Sequence, residues 1–246
     1  MMLEKLYKKS EVWFAVIFIV AYVVGDSFLI QASESAGIEM LYTIPYNLVL
    51  LGIMFAFIGK NHLTGYYGLN KVKCKAGKLL YYVPLVIIAT VNIWFGVSFK
   101  MSFFATVVYF VAMILTGIVE EMLFRGLLFK AMSKSNVRSA IIVTSITFGI
   151  GHIVNLVNGN SADYVETICQ IFYAVAIGFL LAVVLYVGKS LIPCIMTHAM
   201  LNALSSFSNE EVIDAVQIPA SVVLCVVSAV SAVLIFKNVN RKNRGE

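Results

Sequence analysis

Six ionisable side chains stand inside apolar stretches of this chain: Asp26, Glu120, Glu121, Arg125, His152 and His198. Each costs roughly a few kcal/mol in hydrocarbon unless it is paired or wetted, so each needs a partner or a task. Glu121 and Arg125 are four residues apart, the spacing at which two side chains meet along one helix. An ion pair there would offset a guanidinium that keeps its proton at any depth. Glu120 points about 100° away from Glu121 around the helix, so the two carboxylates are expected to address different partners. Phe148 and His152 share a helical face, as do His198 and Asn202. A His/Asn pair at that spacing can aim two hydrogen-bond donors at one point.

Hydrolysis of an amide suits Glu, two His and Asn in a membrane cavity. A glutamate can take a proton from water while a histidine positions that water. Donors from another helix can stabilise the developing oxyanion, a contribution of ~3–4 kcal/mol per donor. A second version places a zinc ion on Glu120, His152 and His198, with water at the open fourth position. The helical His-Glu-x-x-His pattern is absent. A divalent metal such as zinc and no cofactor at all both remain open.

The elements that must position these residues follow from composition. The chain has 246 residues, 61% hydrophobic and 13% charged, with a mean hydropathy of +0.92. Soluble domains carry roughly 25% charged and 45–50% apolar residues, so this is expected to be an all-α, polytopic protein of the cell membrane. Apolar runs of the ~20 residues that cross a hydrocarbon core are placed at Val12–Ala32, Leu41–Gly59, Leu79–Val97, Met101–Phe129, Ser139–Val157, Val165–Val187, Leu191–Phe207 and Ile218–Phe236. That gives about eight transmembrane helices in a single integral domain, 1–246. Residues 101–207 form the core that carries the chemistry.

Charge supports that alternation. With a cytoplasmic N-terminus, the inner side collects Lys5, Lys8 and Lys9, the lysines from Lys60 to Lys78, then Lys130, Lys134, Arg138 and Lys189, and finally the C-terminal Lys and Arg residues. Of the 18 Lys and Arg only Lys100 and Arg125 fall elsewhere. This is the positive-inside pattern, and it places both termini in the cytoplasm. It also accounts for the net charge of +5, so no nucleic-acid partner is inferred. The loop lysines are expected against anionic lipid headgroups. Cys74, Cys169, Cys194 and Cys225 show no paired spacing and read as small apolar residues.

Depth brings the ionisable groups together. Glu120 lies about 16 Å from the cytoplasmic end of its helix, His152 about 20 Å along the next, and His198 about 12 Å along the seventh. All three fall near the middle of a ~30 Å core. Asp26 lies toward the outer end of the first helix, within reach of the interface. Glu166 sits at an outer edge, and Asn92 and Asn155 are expected to make helix–helix contacts.

Three patterns, Glu-Glu-x-x-x-Arg (Glu120–Arg125), Phe-x-x-x-His (Phe148–His152) and His-x-x-x-Asn (His198–Asn202), resemble the CAAX-protease and bacteriocin-processing family, also called Abi or CPBP. That family includes the type II CAAX prenyl endopeptidases. The resemblance implies an intramembrane endopeptidase in which Glu120 and His152 activate water and His198 and Asn202 stabilise the oxyanion. Glu121 and Arg125 orient the site. It implies a peptide or lipidated protein as substrate. With no targeting extension in the sequence, a bacterial setting is expected, with a role in bacteriocin processing or self-immunity. Two other classes stand beside it: a non-catalytic bacteriocin-immunity protein with the same fold, and an ion or metal transporter. The transporter is disfavoured because no inverted repeat or broken-helix pair is visible.

Overall fold

The structure is a computed structural model that describes residues 2–70, 82–99, 101–156 and 164–243. Several expected features lie outside the described residues: the first residues of the third span, Lys71, Lys73, Cys74, Lys75 and Lys78, Lys100, Val157, Asp163 and Arg244. Within the described residues the protein is a helical bundle with one isolated antiparallel bridge, Val97 to Ser208. The helices are α1 (Met2–Lys9), α2 (Glu11–Ser35), α3 (Thr43–Lys60), α4 (Val83–Thr90), α5 (Phe103–Glu121), α6 (Phe129–Ser133), α7 (Val137–Gly151), α8 (Tyr164–Gly188), α9 (Ile192–Leu204) and α10 (Glu210–Asn243).

Local sequence sets several of the helix ends. Ser10, Ser102 and Asn136 each accept a hydrogen bond from the backbone N–H three residues on, at 3.2, 3.3 and 3.0 Å, capping α2, α5 and α7. Pro84 and Pro193 occupy the first turns of α4 and α9, where a missing N–H costs nothing.

Six helical stretches are long and apolar enough to cross a membrane: Glu11–Ser35, Thr43–Lys60, Phe103–Ser133, Val137–Leu156, Tyr164–Gly188 and Ala215–Asn238. This is a multi-pass membrane protein. The segments expected as third and seventh spans form shorter helices. α4 tightens into a 3-10 turn at Val91–Ile93, where Thr90 turns its hydroxyl back onto the Val86 carbonyl at 2.9 Å. α9 starts only after the turn at Lys189–Leu191 and ends in another 3-10 turn, Ser205–Phe207.

The two ends of the bundle are marked by contacts among its loops and helix ends. At one end Lys60 pairs with Glu4 at 2.9 Å and Lys134 with Glu11 at 2.5 Å. Leu191 N–H donates to the Gly68 carbonyl at 2.7 Å at that same end. At the opposite end Ser98 N–H donates to the Phe207 carbonyl at 2.9 Å. Among the described residues Lys60, Lys134 and the turn that carries Lys189 therefore lie at one end of the molecule. α2 shows how the membrane shapes a helix: Trp13, Ile17, Val20, Val24 and Phe28 are exposed, while Phe14, Phe18, Tyr22 and Asp26 face inward. From Val12 to Phe28 every exposed residue of α2 is apolar, which hydrocarbon accepts and water would not.

Candidate active site

The two glutamates end α5, and the chain then widens into a π-helical segment, Met122–Leu128, before α6. Such segments concentrate at functional sites, and this one carries Arg125 directly after the carboxylates. Glu121 and Arg125 are both fully buried, with Arg125 Nη1 2.8 Å from Glu121 Oε1. The expected ion pair is therefore formed. The other face of the guanidinium stacks on Phe148, 4.2 Å from its ring centre.

His198 enters from α9. Its Nδ1 lies 2.9 Å from Glu121 Oε1, and because a carboxylate can only accept, Nδ1 carries the proton. Its Nε2 lies 3.3 Å from Glu120 Oε2, an approach without hydrogen-bond alignment that leaves Oε2 unsatisfied. The two carboxylates thus address one partner, against the expectation that they would address different ones. The physical reason is the imidazole ring itself, whose two nitrogens point outward in different directions and span the angle between adjacent helical residues. Tyr22 on α2 completes the surroundings of Glu120 by donating its hydroxyl to Oε1 at 3.0 Å.

Close helix approach makes this contact feasible. A Cβ built on Gly117 would lie 2.7 Å from the Ala199 backbone and 3.0 Å from the His198 carbonyl carbon. Only a glycine at 117, one turn before the glutamates, lets α9 press against α5 so tightly. Gly149 does the same between α7 and α8, where a Cβ would sit 2.9 Å from the Ile171 carbonyl.

His152 caps α7 and opens a 3-10 turn, His152–Leu156. It lines a cavity of about 80 Å³ together with Glu120, Tyr22, Asp26, Phe124, Phe148 and Asn155, room for a few water molecules. Phe148 meets both histidine rings edge-on, at 5.2 Å from His152 and 5.4 Å from His198. Phe148 thus packs against three site residues at once, Arg125 and the two histidines. The two glutamates differ in access: the Glu120 side chain is 13% exposed and Glu121 is sealed.

Asn202 follows one turn beyond His198 and does not line this cavity. Asn92 and Asn155 make helix contacts, to the Leu201 carbonyl at 2.7 Å and to Gln170 at 2.8 Å. Asp26 is 7% exposed and faces the cavity. A zinc ion on Glu120, His152 and His198 would require the three to converge. Among the described residues no three His, Cys, Asp or Glu side chains are placed to hold a metal, and both nitrogens of His198 already face carboxylates. The donor set in this arrangement does not fit a metal.

Residues 102–204, from the cap of α5 to the end of α9, match the family described as type II CAAX prenyl endopeptidase, Rce1-like. This segment belongs to the CAAX-protease family. No curated protein and no solved structure matches the chain. The CAAX-protease segment contains Glu120, Glu121, Arg125, His152, His198 and Asn202, but it excludes α2. Tyr22 and Asp26 are thus site residues that the three patterns could not reveal. Asp26 was marked by its charge within an apolar stretch, and both continue the Phe14–Phe18 stripe at four-residue intervals with polar groups in place of aromatic rings.

Proposed function

We propose that this protein is an intramembrane endopeptidase in which Glu120 is the general base. The observation that carries this reading is His198 held between one sealed carboxylate and one that faces a cavity. Glu121 and Arg125 fix the ring through Nδ1, so the Nε2 side is presented to Glu120, which lines the cavity. A carboxylate faces each ring nitrogen of His198, and a carboxylate can only accept, so both nitrogens serve as donors.

A water in the cavity, oriented by His152, gives a proton to Glu120 Oε2, and its oxygen bonds to the scissile carbonyl carbon. Neutralised Glu120 no longer competes for His198 Nε2–H, which donates to the new oxyanion. As the C–N bond breaks, Glu120 returns the proton to the leaving nitrogen, which yields a carboxylic acid and an amine. Asn202 adds a donor when the substrate chain lies along α9. The substrate is a membrane-associated peptide or lipidated protein. In a bacterial cell membrane this suits processing of a bacteriocin or self-immunity against one. Eight crossings with both termini cytoplasmic agree with the position of Lys60, Lys134 and the Lys189 turn at one end.

The test compares protein termini, by mass spectrometry, in cells expressing the wild type or Glu120→Gln at matched levels. Termini present only with the wild type are the expected result and name the substrate. Identical termini, with both proteins folded and abundant, would count against hydrolysis. Activity of purified protein after exhaustive chelation is expected to persist.

A further inference from the structure

The hydrolysis proposed above gives Asp26 nothing to do. Asp26 lies one turn beyond Tyr22 on the inward face of α2 and is 7% exposed. Its Oδ1 accepts a long bond, 3.3 Å, from the neutral amide of Asn47. Among the described residues no lysine, arginine or histidine pairs with it, and no hydrogen bond reaches Oδ2. A carboxylate at this depth is costly unless a partner compensates it, and Asp26 lines the same cavity as Glu120 and His152.

Chemistry narrows what could compensate it. Two carboxylates on one cavity reject an anion and favour a cation. A guanidinium engages a carboxylate through both oxygens, whereas Oδ1 is already taken by Asn47. An ammonium is a compact point charge that one oxygen can hold. A cavity of about 80 Å³ admits an ammonium with its last methylenes and excludes a bulky group. Along the α2 axis Asp26 is about 6 Å from Tyr22, the residue that touches Glu120. An extended peptide covers that distance in about two residues.

We propose that Asp26 is a recognition site for a primary ammonium on the substrate, within two residues of the scissile bond. The ammonium belongs to a lysine side chain or to a free N-terminus. This specificity rests on the endopeptidase reading and names its substrate class.

Three small probes test the site without any cleavage: Nα-acetyl-lysine methylamide, norleucine methylamide with a free amine, and the neutral Nα-acetyl-norleucine methylamide. Their binding to the purified full chain in nanodiscs is measured by calorimetry. One cationic probe is expected to bind at least about 10-fold tighter than the neutral one, and which one does so identifies the source of the ammonium. Asp26→Asn is expected to erase the difference, and Asp26→Glu to keep part of it. Equal binding of all three probes to the wild type, a ranking that needs no variant, overturns the proposal. So does a cationic preference that survives in Asp26→Asn. Quenched peptides with lysine or norleucine near the scissile bond then separate the two readings. Cleavage without a preference for lysine, where the lysine probe was the tighter one, sinks the ammonium site alone, and so does cleavage indifferent to acetylation of the peptide N-terminus where the free-amine probe was. Probe discrimination without any cleavage sinks the endopeptidase alone.

Discussion

Glu121 Oε1 receives both Arg125 Nη1 and His198 Nδ1, so one buried oxygen anchors a cation and the ring whose other nitrogen faces Glu120. Arg125→Met would leave that carboxylate buried with half its compensation, and a loss of about 3–5 kcal/mol is expected. Thermal unfolding in detergent reads it, and the Glu121→Gln/Arg125→Met double variant should recover part of the loss because no charge is then stranded. Tyr22 acts more locally. Its hydroxyl holds Glu120 Oε1 at 3.0 Å, a bond to a charged group of about 1.5–3 kcal/mol. Tyr22→Phe should lower kcat on a cleaved peptide by roughly 10- to 100-fold with KM unchanged. An unaltered kcat would remove Tyr22 from the machinery.

At the scale of elements, the contact of α5 with α9 decides whether the site exists. Gly117→Val drives a Cβ to within 2.7 Å of the Ala199 backbone, where no flexible side chain can yield. The helices must separate, and a displacement of about 1 Å at reacting groups costs on the order of 100-fold in rate. Gly52→Ala, with nothing within 4 Å of its new Cβ, is the matched control and should retain full activity. The N-terminal helix makes a different kind of attachment. Lys60 beside Glu4 holds that carboxyl down at about 2, below its ordinary 4.5. A depressed carboxylate contributes stability that is complete above its unfolded value and is lost as pH falls toward the folded one. Docking of α1 should therefore weaken between about pH 4.5 and 2, visible as faster amide exchange over Met2–Lys9, and Glu4→Gln should abolish that pH dependence.

The molecule as a whole is polarised, with Glu4–Lys60 and Glu11–Lys134 at one end and the Ser98–Phe207 contact at the other. Cysteines introduced at Ser135 and at Ser208 into a protein otherwise free of cysteine should react with an impermeant maleimide from opposite sides, Ser135 from the cytoplasmic one. Labelling of both from one side would break the proposed topology.

Composition and spacing alone determined the multi-pass helical character, the Glu121–Arg125 pair and the residues of the three patterns. Each is a local property, set by hydropathy along one helix or by a four-residue offset. The break between α8 and α9 was legible, but the shortened α4 was not, because an apolar run does not record where Thr90 interrupts it. Nor was the approach of Tyr22 and Asp26 to Glu120, because they lie about 100 residues from it in sequence and outside the three patterns. Tertiary structure decided that His198 bridges both glutamates, which helical-wheel angles argued against, because a side chain from another helix can span directions that diverge on the first. It also decided which carboxylate meets the cavity and which is sealed. Access of that kind depends on how closely Gly117 lets two distant helices meet, and no single helix holds that information.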